Sequence, residues 1–104
     1  LIIAGEGEET KLVKSMIDEY NLNDIVTLKG WVRGEQKFEL LKKADIFILP
    51  SHYEGFPNAL LEAMSSGVAC VSTNVGAVPD ILVHGSNGVI IPVNDKKSII
   101  KITK

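Results

Sequence analysis

Short apolar runs alternate with longer amphipathic segments along the whole chain, a pattern typical of repeated strand–helix units. Five apolar runs predict strands, at residues 1–4, 25–29, 46–49, 69–72 and 89–92. Strands that alternate with helices in this way pair in parallel, because each connection must cross back over the sheet. The sequence therefore predicts an α/β fold built on a parallel sheet.

The segments between these runs predict the helices. Residues 8–20 place Leu12, Val13, Met16 and Ile17 on one helical face, and residues 35–43 do the same with Phe38, Leu40 and Leu41. A third helix is expected over residues 58–66, with Gly67 as its C-terminal stop. A short helix is expected from Pro79, and a last one from Asp95.

Composition narrows the class of protein. The chain has 104 residues, which is the size of one domain. Its net charge is −2, and it has no basic face with interleaved aromatics, which argues against a nucleic-acid partner. Cys70 is the single cysteine and lies in an apolar run, which predicts a buried structural thiol. No apolar run approaches the ~20 residues of a membrane span, so the cytoplasm is the default location. Both ends interrupt a strand or helix pattern, as expected of part of a longer protein.

The candidate chemistry lies in residues 51–64, where Glu54 and Glu62 stand eight positions apart across a predicted loop-to-helix junction. Pro57 is a suitable helix entry residue and Asn58 a suitable N-cap. The free N–H groups at such a helix start can hold an anion, and a diphosphate would fit there. The spacing therefore predicts a site for a sugar nucleotide.

Two carboxylates beside a diphosphate would repel it if they touched it, so we expect each to accept hydrogen bonds from neutral hydroxyls. Vicinal diols of a sugar supply such hydroxyls. A hydrogen bond to a charged acceptor contributes about 1.5–3 kcal/mol, enough to select a sugar. Two ordinary explanations stay open at this point. The helix macrodipole alone favours a glutamate such as Glu62 near a helix start, and Glu54 could be a solvated loop acid.

Residues 54–71 resemble the signature of the retaining glycosyltransferases of family four, also called glycosyl transferases group one. The usual pattern reads E-G-F-G-x-x-x-x-E-A-M-A-x-G-x-P-V-V, and the matching positions here are Glu54, Gly55, Phe56, Glu62, Ala63, Met64, Gly67 and Val71. Further matches are L-I-I-A-G-E-G at 1–7, L-K-G-W-V at 28–32, V-G-A-V-P-D at 75–80 and G-S-N-G at 85–88. The resemblance implies the nucleotide-sugar-binding C-terminal domain of a GT-B enzyme, with a Rossmann-like, doubly wound sheet.

The resemblance also implies roles for individual residues. Glu54 would be the catalytic residue on the transferred sugar and Glu62 would bind the ribose. The remaining donor-binding positions implied are Gly55, Phe56, Asn58, Ala59 and Leu60 at the helix start, Gly30, Trp31 and Val32 beside the base, and Gly5 and Gly7 at the border of the site. A nucleotide-diphosphate sugar is the expected donor substrate, and neither a cofactor nor a metal ion is expected.

The acceptor is expected in an N-terminal domain outside this chain, and peripheral membrane association would also act through that domain. The chain departs from the family at two places. Pro57 stands where glycine is more frequent, and it removes one backbone N–H donor. Residues 68–70 also differ from the usual pattern. A family strand that carries an arginine and a lysine for the diphosphate would precede Leu1. Without it the fragment should be inactive. The strands at 1–4 and 46–49 should lie about 9–10 Å apart, or the isolated chain should close the gap, borrow a strand or associate.

Several alternatives remain. A dehydrogenase is disfavoured, because Thr10 replaces the third glycine of the dinucleotide fingerprint begun by Gly5 and Gly7. A GT-B nucleotide-sugar epimerase and a non-catalytic nucleotide-sugar-binding module stay open. Trp31 could instead be core packing, Arg33 is expected in solvent, and neither His52 nor His84 has an evident catalytic partner.

Overall fold

The computed structural model describes residues 1–104, in which five strands alternate with five helices. The elements are β1 Ile2–Ala4, α1 Thr10–Glu19, β2 Thr27–Gly30, α2 Gly34–Lys43, β3 Ile46–Leu49, α3 Asn58–Ser65, β4 Ala69–Thr73, α4 Val78–Ile81, β5 Val89–Ile91 and α5 Lys96–Thr103. Every predicted element is present, and the predicted ends lie within about two residues of those observed. The predicted α/β class is confirmed.

All strand pairs are parallel, and they form two sheets. β1 pairs with β2, while β4 lies between β3 and β5 in a three-stranded sheet. The chain likewise divides into two compact units, Leu1–Lys37 and Phe38–Lys104. Each unit is described on its own.

In the first unit, the apolar face of α1 is only partly buried. Ile17 is 7% exposed and Val13 is half-buried, whereas Leu12 and Met16 are exposed. The four residues share one face of the helix, as predicted, but Leu12 and Met16 on that face are exposed. After the helix, Asn21 takes the left-handed conformation (φ 54°) that asparagine tolerates at such a stop.

The second unit has a continuous core beneath its three-stranded sheet. The core is formed by Leu41, Leu60, Ala63, Val68, Cys70, Val78 and Leu82. Leu41 is the buried residue of α2, while Phe38, which was predicted on the same face, is 38% exposed. Gly67 follows α3 with φ +77°, so the predicted C-terminal stop is confirmed. This core fixes the carboxyl ends of the strands, where the predicted site lies.

Cys70 is 2% exposed and its Sγ donates to the Val68 carbonyl at 3.3 Å, so the predicted buried thiol is confirmed. Burial raises the pKa of this thiol above its ordinary value, which lowers the thiolate fraction at neutral pH. We expect the native chain to resist a disulfide reagent such as 5,5′-dithiobis(2-nitrobenzoate), and to react at once in denaturant. Absorbance of the released thiol measures this. Rapid stoichiometric reaction of the native chain would contradict the packing of β4.

Asp95, where the last helix was predicted to begin, is the N-cap of α5. Its carboxylate accepts from the Ser98 N–H at 3.2 Å and from the Ser98 hydroxyl at 2.5 Å. These bonds lower the pKa of the Asp95 carboxyl. A lowered pKa in the folded state means that this cap stabilises α5 above the unfolded pKa, and that its contribution disappears as the pH falls through the folded value.

Candidate functional site

The site in the second unit begins where β3 ends. The ladder between β3 and β4 stops at the pair Leu49 and Ser72, and the following Pro50 has no N–H with which to continue it. From this pair onward, two buried hydroxyls of β4 donate hydrogen bonds to carbonyls at the end of β3 and in the loop that follows it. Ser72 Oγ donates to the Leu49 carbonyl at 3.1 Å, and Thr73 Oγ1 donates to the Ser51 carbonyl at 2.6 Å. The loop after β3 therefore leaves the sheet in a fixed direction.

Glu54 is half-buried in this loop and is held by its own neighbour. Ser51 Oγ donates to Glu54 Oε1 at 2.6 Å, while Oε2 has no partner within the chain. A freely solvated loop acid would show neither the burial nor the short hydrogen bond. Glu54 is thus an oriented carboxylate with one oxygen available as an acceptor.

The loop between β4 and α4 supports the backbone of Glu54. A Cβ placed on Gly76, whose φ is +52°, would lie only 1.8 Å from the Glu54 carbonyl oxygen. Next to it, the Ala77 N–H donates to the Gly55 carbonyl at 3.2 Å. The two loops therefore touch backbone to backbone, and only glycine fits at position 76 without a shift.

The start of α3 differs from the prediction in its cap. Pro57, not Asn58, occupies the N-cap position, and no side chain caps the helix. The predicted donors at Asn58 and Leu60 are already used, since their N–H groups donate to the Phe56 and Pro57 carbonyls, each at 3.0 Å. The Phe56 and Ala59 N–H groups have no acceptor within the chain. Of the four residues Phe56, Asn58, Ala59 and Leu60, only Phe56 and Ala59 therefore keep an N–H group available for an anion.

Glu62 is half-buried and is the fifth residue of α3, in its second turn. The first turn of this helix contains no acidic residue. Because the attraction of the helix dipole for an anion fades beyond the first turn, that ordinary explanation does not account for Glu62.

The first unit carries the other predicted donor-binding positions, at the ends of its two strands. Gly5 and Gly30 lie together, with the Gly5 N–H donating to the Gly30 carbonyl at 2.7 Å. Both have positive φ, and a Cβ on Gly30 would lie 2.8 Å from Glu6 Oε1. The Gly7 N–H donates to Thr10 Oγ1 at 2.9 Å at the entry to α1. The glycines thus shape two adjoining loops at one edge of the sheet, as predicted.

Trp31 is 65% exposed, so plain core packing does not explain it. The Arg33 guanidinium lies 5.9 Å from the centre of the Trp31 ring, within the range of a cation–π contact. Arg33, predicted to be solvated, therefore has an aromatic neighbour, and Val32 between them is half-buried.

The histidines do not join either group. His84 is exposed, and its Nδ1 accepts from the Ile90 N–H at 3.1 Å. His52 is exposed and borders a cavity of about 170 Å³ with Pro50 and Asn94. A cavity of that size is small beside the ~300–1,000 Å³ of ordinary ligand pockets. No three His, Cys, Asp or Glu side chains are grouped so that they could hold a metal ion. None of the helices has an apolar stretch long enough to cross a bilayer.

Sequence reasoning missed the roles of Ser51, Thr73 and Gly76. The available signals were a serine three positions before the glutamate, two hydroxyl residues at the end of an apolar strand, and a glycine just before a short helix. None of them specifies the partner. The Thr73–Ser51 and Gly76–Glu54 contacts join segments about 20 residues apart, and the Ser51–Glu54 contact depends on the path of the loop.

Residues 1–103 match the family described as glycosyl transferases group 1. Among curated proteins, N-acetyl-alpha-D-glucosaminyl L-malate synthase of Bacillus anthracis is 32% identical over 99 residues, which are 95% of this chain and 26% of that protein. The chain spans about a quarter of the length of the curated relatives it matches.

Solved structures share the fold. TarM of S. aureus, crystallised with Fondaparinux, alpha-GlcNAc-glycerol and UDP, has a TM-score of 0.84 at 26% identity, over 96% of this chain and 20% of its own. HepE of Anabaena in complex with UDP-glucose has a TM-score of 0.86 over 97% of this chain and 29% of its own. At 23% identity, the likeness to HepE concerns the fold alone.

Proposed function

The chain belongs to the glycosyl transferases group 1 family, and we propose that it binds the nucleotide-sugar donor of a retaining GT-B glycosyltransferase. The observation that carries this proposal is the Glu54 carboxylate, which is held at one oxygen and open at the other beside the start of α3. TarM, which was crystallised with UDP, supports the class of ligand. The whole enzyme would also bind an acceptor, in its N-terminal domain.

In this proposal each group meets a different part of the donor. Glu54 Oε2 accepts a hydrogen bond from a hydroxyl of the transferred sugar, and Glu62 accepts from the ribose. The Phe56 and Ala59 N–H groups face the diphosphate. The roles of residues 30–32, Gly5 and Gly7, which lie in the first unit, stay predictions from the family resemblance. Donors aimed at the phosphate oxygens would stabilise the charge that develops on the leaving group.

The transfer itself would break the bond between the anomeric carbon and the diphosphate oxygen. The acceptor hydroxyl oxygen then bonds to the same face of that carbon, the nucleoside diphosphate leaves with the bonding electron pair, and the hydroxyl proton passes to the departing diphosphate oxygen. Glu54 contacts the sugar during this step and is for that reason the proposed catalytic residue. No metal ion or cofactor is required in the proposed mechanism.

The proposal is tested by saturation-transfer NMR of this chain with a panel of nucleotide sugars. We expect saturation of both the ribose and the sugar protons of at least one member of the panel, and displacement by the matching nucleoside diphosphate. NAD serves as the control, because it carries a diphosphate and riboses but no sugar joined to the diphosphate through its anomeric carbon. Binding of NAD in preference to every nucleotide sugar, or binding of none of them, would contradict the proposal.

We further expect the 104-residue chain to bind the donor without transferring it. Its single arginine, Arg33, lies 5.9 Å from the centre of the Trp31 ring, and no cation is among the residues proposed to face the leaving diphosphate. Loss of one such stabilising donor can cost ~100-fold or more in rate. Chromatographic assay of nucleoside diphosphate release, with the longer enzyme as reference, measures this. Release by the isolated chain at a rate near that of the reference would contradict the expectation, and epimerised donor would favour an epimerase.

A further inference from the structure

We propose that Ser51 and Thr73 are positioning residues, which fix the Glu54 carboxylate so that Oε2 meets the sugar. The inference rests on the proposed function and adds the means by which the loop recognises the sugar part of the donor. Neither residue touches the ligand in this proposal. Both act through Glu54.

The inner end of this arrangement is Thr73, the last residue of β4 and only 2% exposed. Its hydroxyl donates to the Ser51 carbonyl at 2.6 Å. A buried hydroxyl must find a partner inside the protein, and here the partner is a loop carbonyl that lies just beyond the end of the strand ladder. The rigid sheet therefore determines where the backbone of Ser51 lies.

The outer end is Ser51 itself, which is bound on both sides. Its carbonyl accepts from Thr73, and its Oγ donates to Glu54 Oε1 at 2.6 Å. A hydrogen bond to one oxygen of a carboxylate restricts rotation about the glutamate side chain and leaves the second oxygen facing a defined direction. Preorganisation of this kind improves binding because less side-chain freedom is lost when the ligand arrives.

The arrangement also explains why a short polar residue stands at position 51. The Ser51 hydroxyl reaches the Glu54 carboxylate, which is three positions later in the chain. Threonine would carry the same hydroxyl on its Cβ. Alanine would leave Oε1 to water and the carboxylate free to change rotamer. The preference for sugar-bearing ligands should therefore depend on the hydroxyl and not on the size of the side chain.

The test compares Ser51→Ala with Ser51→Thr, and Thr73→Val with Thr73→Ser. Calorimetry measures the affinity of each variant for a nucleotide sugar and for the corresponding nucleoside diphosphate. We expect Ser51→Ala to lower the affinity for the nucleotide sugar about tenfold and to change the affinity for the nucleoside diphosphate by no more than about twofold. Ser51→Thr should keep the original affinity for both ligands. Thr73→Val should act in the same direction, and Thr73→Ser should resemble the unchanged chain.

A second measurement needs no ligand. Three-bond NMR couplings report whether the Glu54 side chain keeps one rotamer in the free protein. We expect a single rotamer in the unchanged chain and in Ser51→Thr, and averaged couplings in Ser51→Ala. This measurement also covers the case in which Thr73→Val does not fold.

The outcomes separate this inference from the proposed function. Equal losses for both ligands in Ser51→Ala, or a Glu54 rotamer that does not change, would overturn the positioning role. If Glu54→Ala loses the sugar preference but Ser51→Ala keeps it, the proposed function stands and this inference fails. If the couplings change but no nucleotide sugar binds to any variant, Ser51 does hold Glu54, and it is the proposed sugar contact that is wrong.

Discussion

Gly76→Ala should destabilise the chain more than any other single-methyl change at a loop glycine of the site. The new Cβ would stand 1.8 Å from the Glu54 carbonyl oxygen and 2.7 Å from the Glu54 carbonyl carbon. The left-handed conformation adds about 1–2 kcal/mol for alanine, and forced overpacking adds about 1–3 kcal/mol. The combined loss of about 2–5 kcal/mol is a large share of the ~5–15 kcal/mol that stabilises a typical domain.

The chain offers a matched control in Gly67→Ala. Gly67 lies in the same unit and also has positive φ, at +77°, but a Cβ there would meet nothing within 4 Å. This variant should lose only the conformational share, about 1–2 kcal/mol. Urea unfolding followed by circular dichroism gives both free energies, and the difference between them isolates the clash with the Glu54 loop.

The same pair of variants should separate in ligand binding. Any folded Gly76→Ala chain must move residues 54–55 away from position 76, so it should lose affinity for the nucleotide sugar. Gly67→Ala should keep that affinity. Equal stability of the two variants would mean that the loop after β3 does not lie against the loop before α4.

The fold could be predicted well because its signals are local. The apolar runs that became β3, β4 and β5 are short, rich in β-branched residues and separated by amphipathic helices. The errors occurred where burial depends on partners that the sequence pattern does not reveal. Leu12 and Met16 have helical spacing, but both are exposed.

The site could be predicted at the level of its carboxylates and not at the level of their supports. Glu54 and Glu62 were identified from spacing and from the family resemblance. The cap was wrong, because the Asn58 N–H bonds back to Phe56 and shifts the N-cap to Pro57. Ser51 donates across a tight local turn that no residue type uniquely demands. Contacts of this kind depend on where the backbone goes after the strand ends.

The two carboxylates should respond differently to substitution, which makes their proposed roles separable. Glu62→Ala should weaken the nucleoside diphosphate and the nucleotide sugar alike by about 1.5–3 kcal/mol, because both ligands carry the ribose. Glu54→Ala should weaken only the ligand that carries the sugar, by a similar amount, because the diphosphate alone does not reach that carboxylate. Calorimetry of both ligands against both variants gives four free energies.

Glu39→Ala is the control for charge alone. Glu39 is 61% exposed at its side chain on α2, and its partner is Lys42 at 3.6 Å, an ion pair of the solvated kind that contributes little. The Glu39→Ala substitution removes one negative charge and leaves both proposed contacts intact, so the affinities for both ligands should stay within about twofold of those of the unchanged chain. Losses in Glu39→Ala as large as those in Glu54→Ala would trace the effect to net charge. Equal losses of both ligands in both site variants would refute the division of roles, since a carboxylate that meets only the sugar cannot weaken a ligand that lacks it.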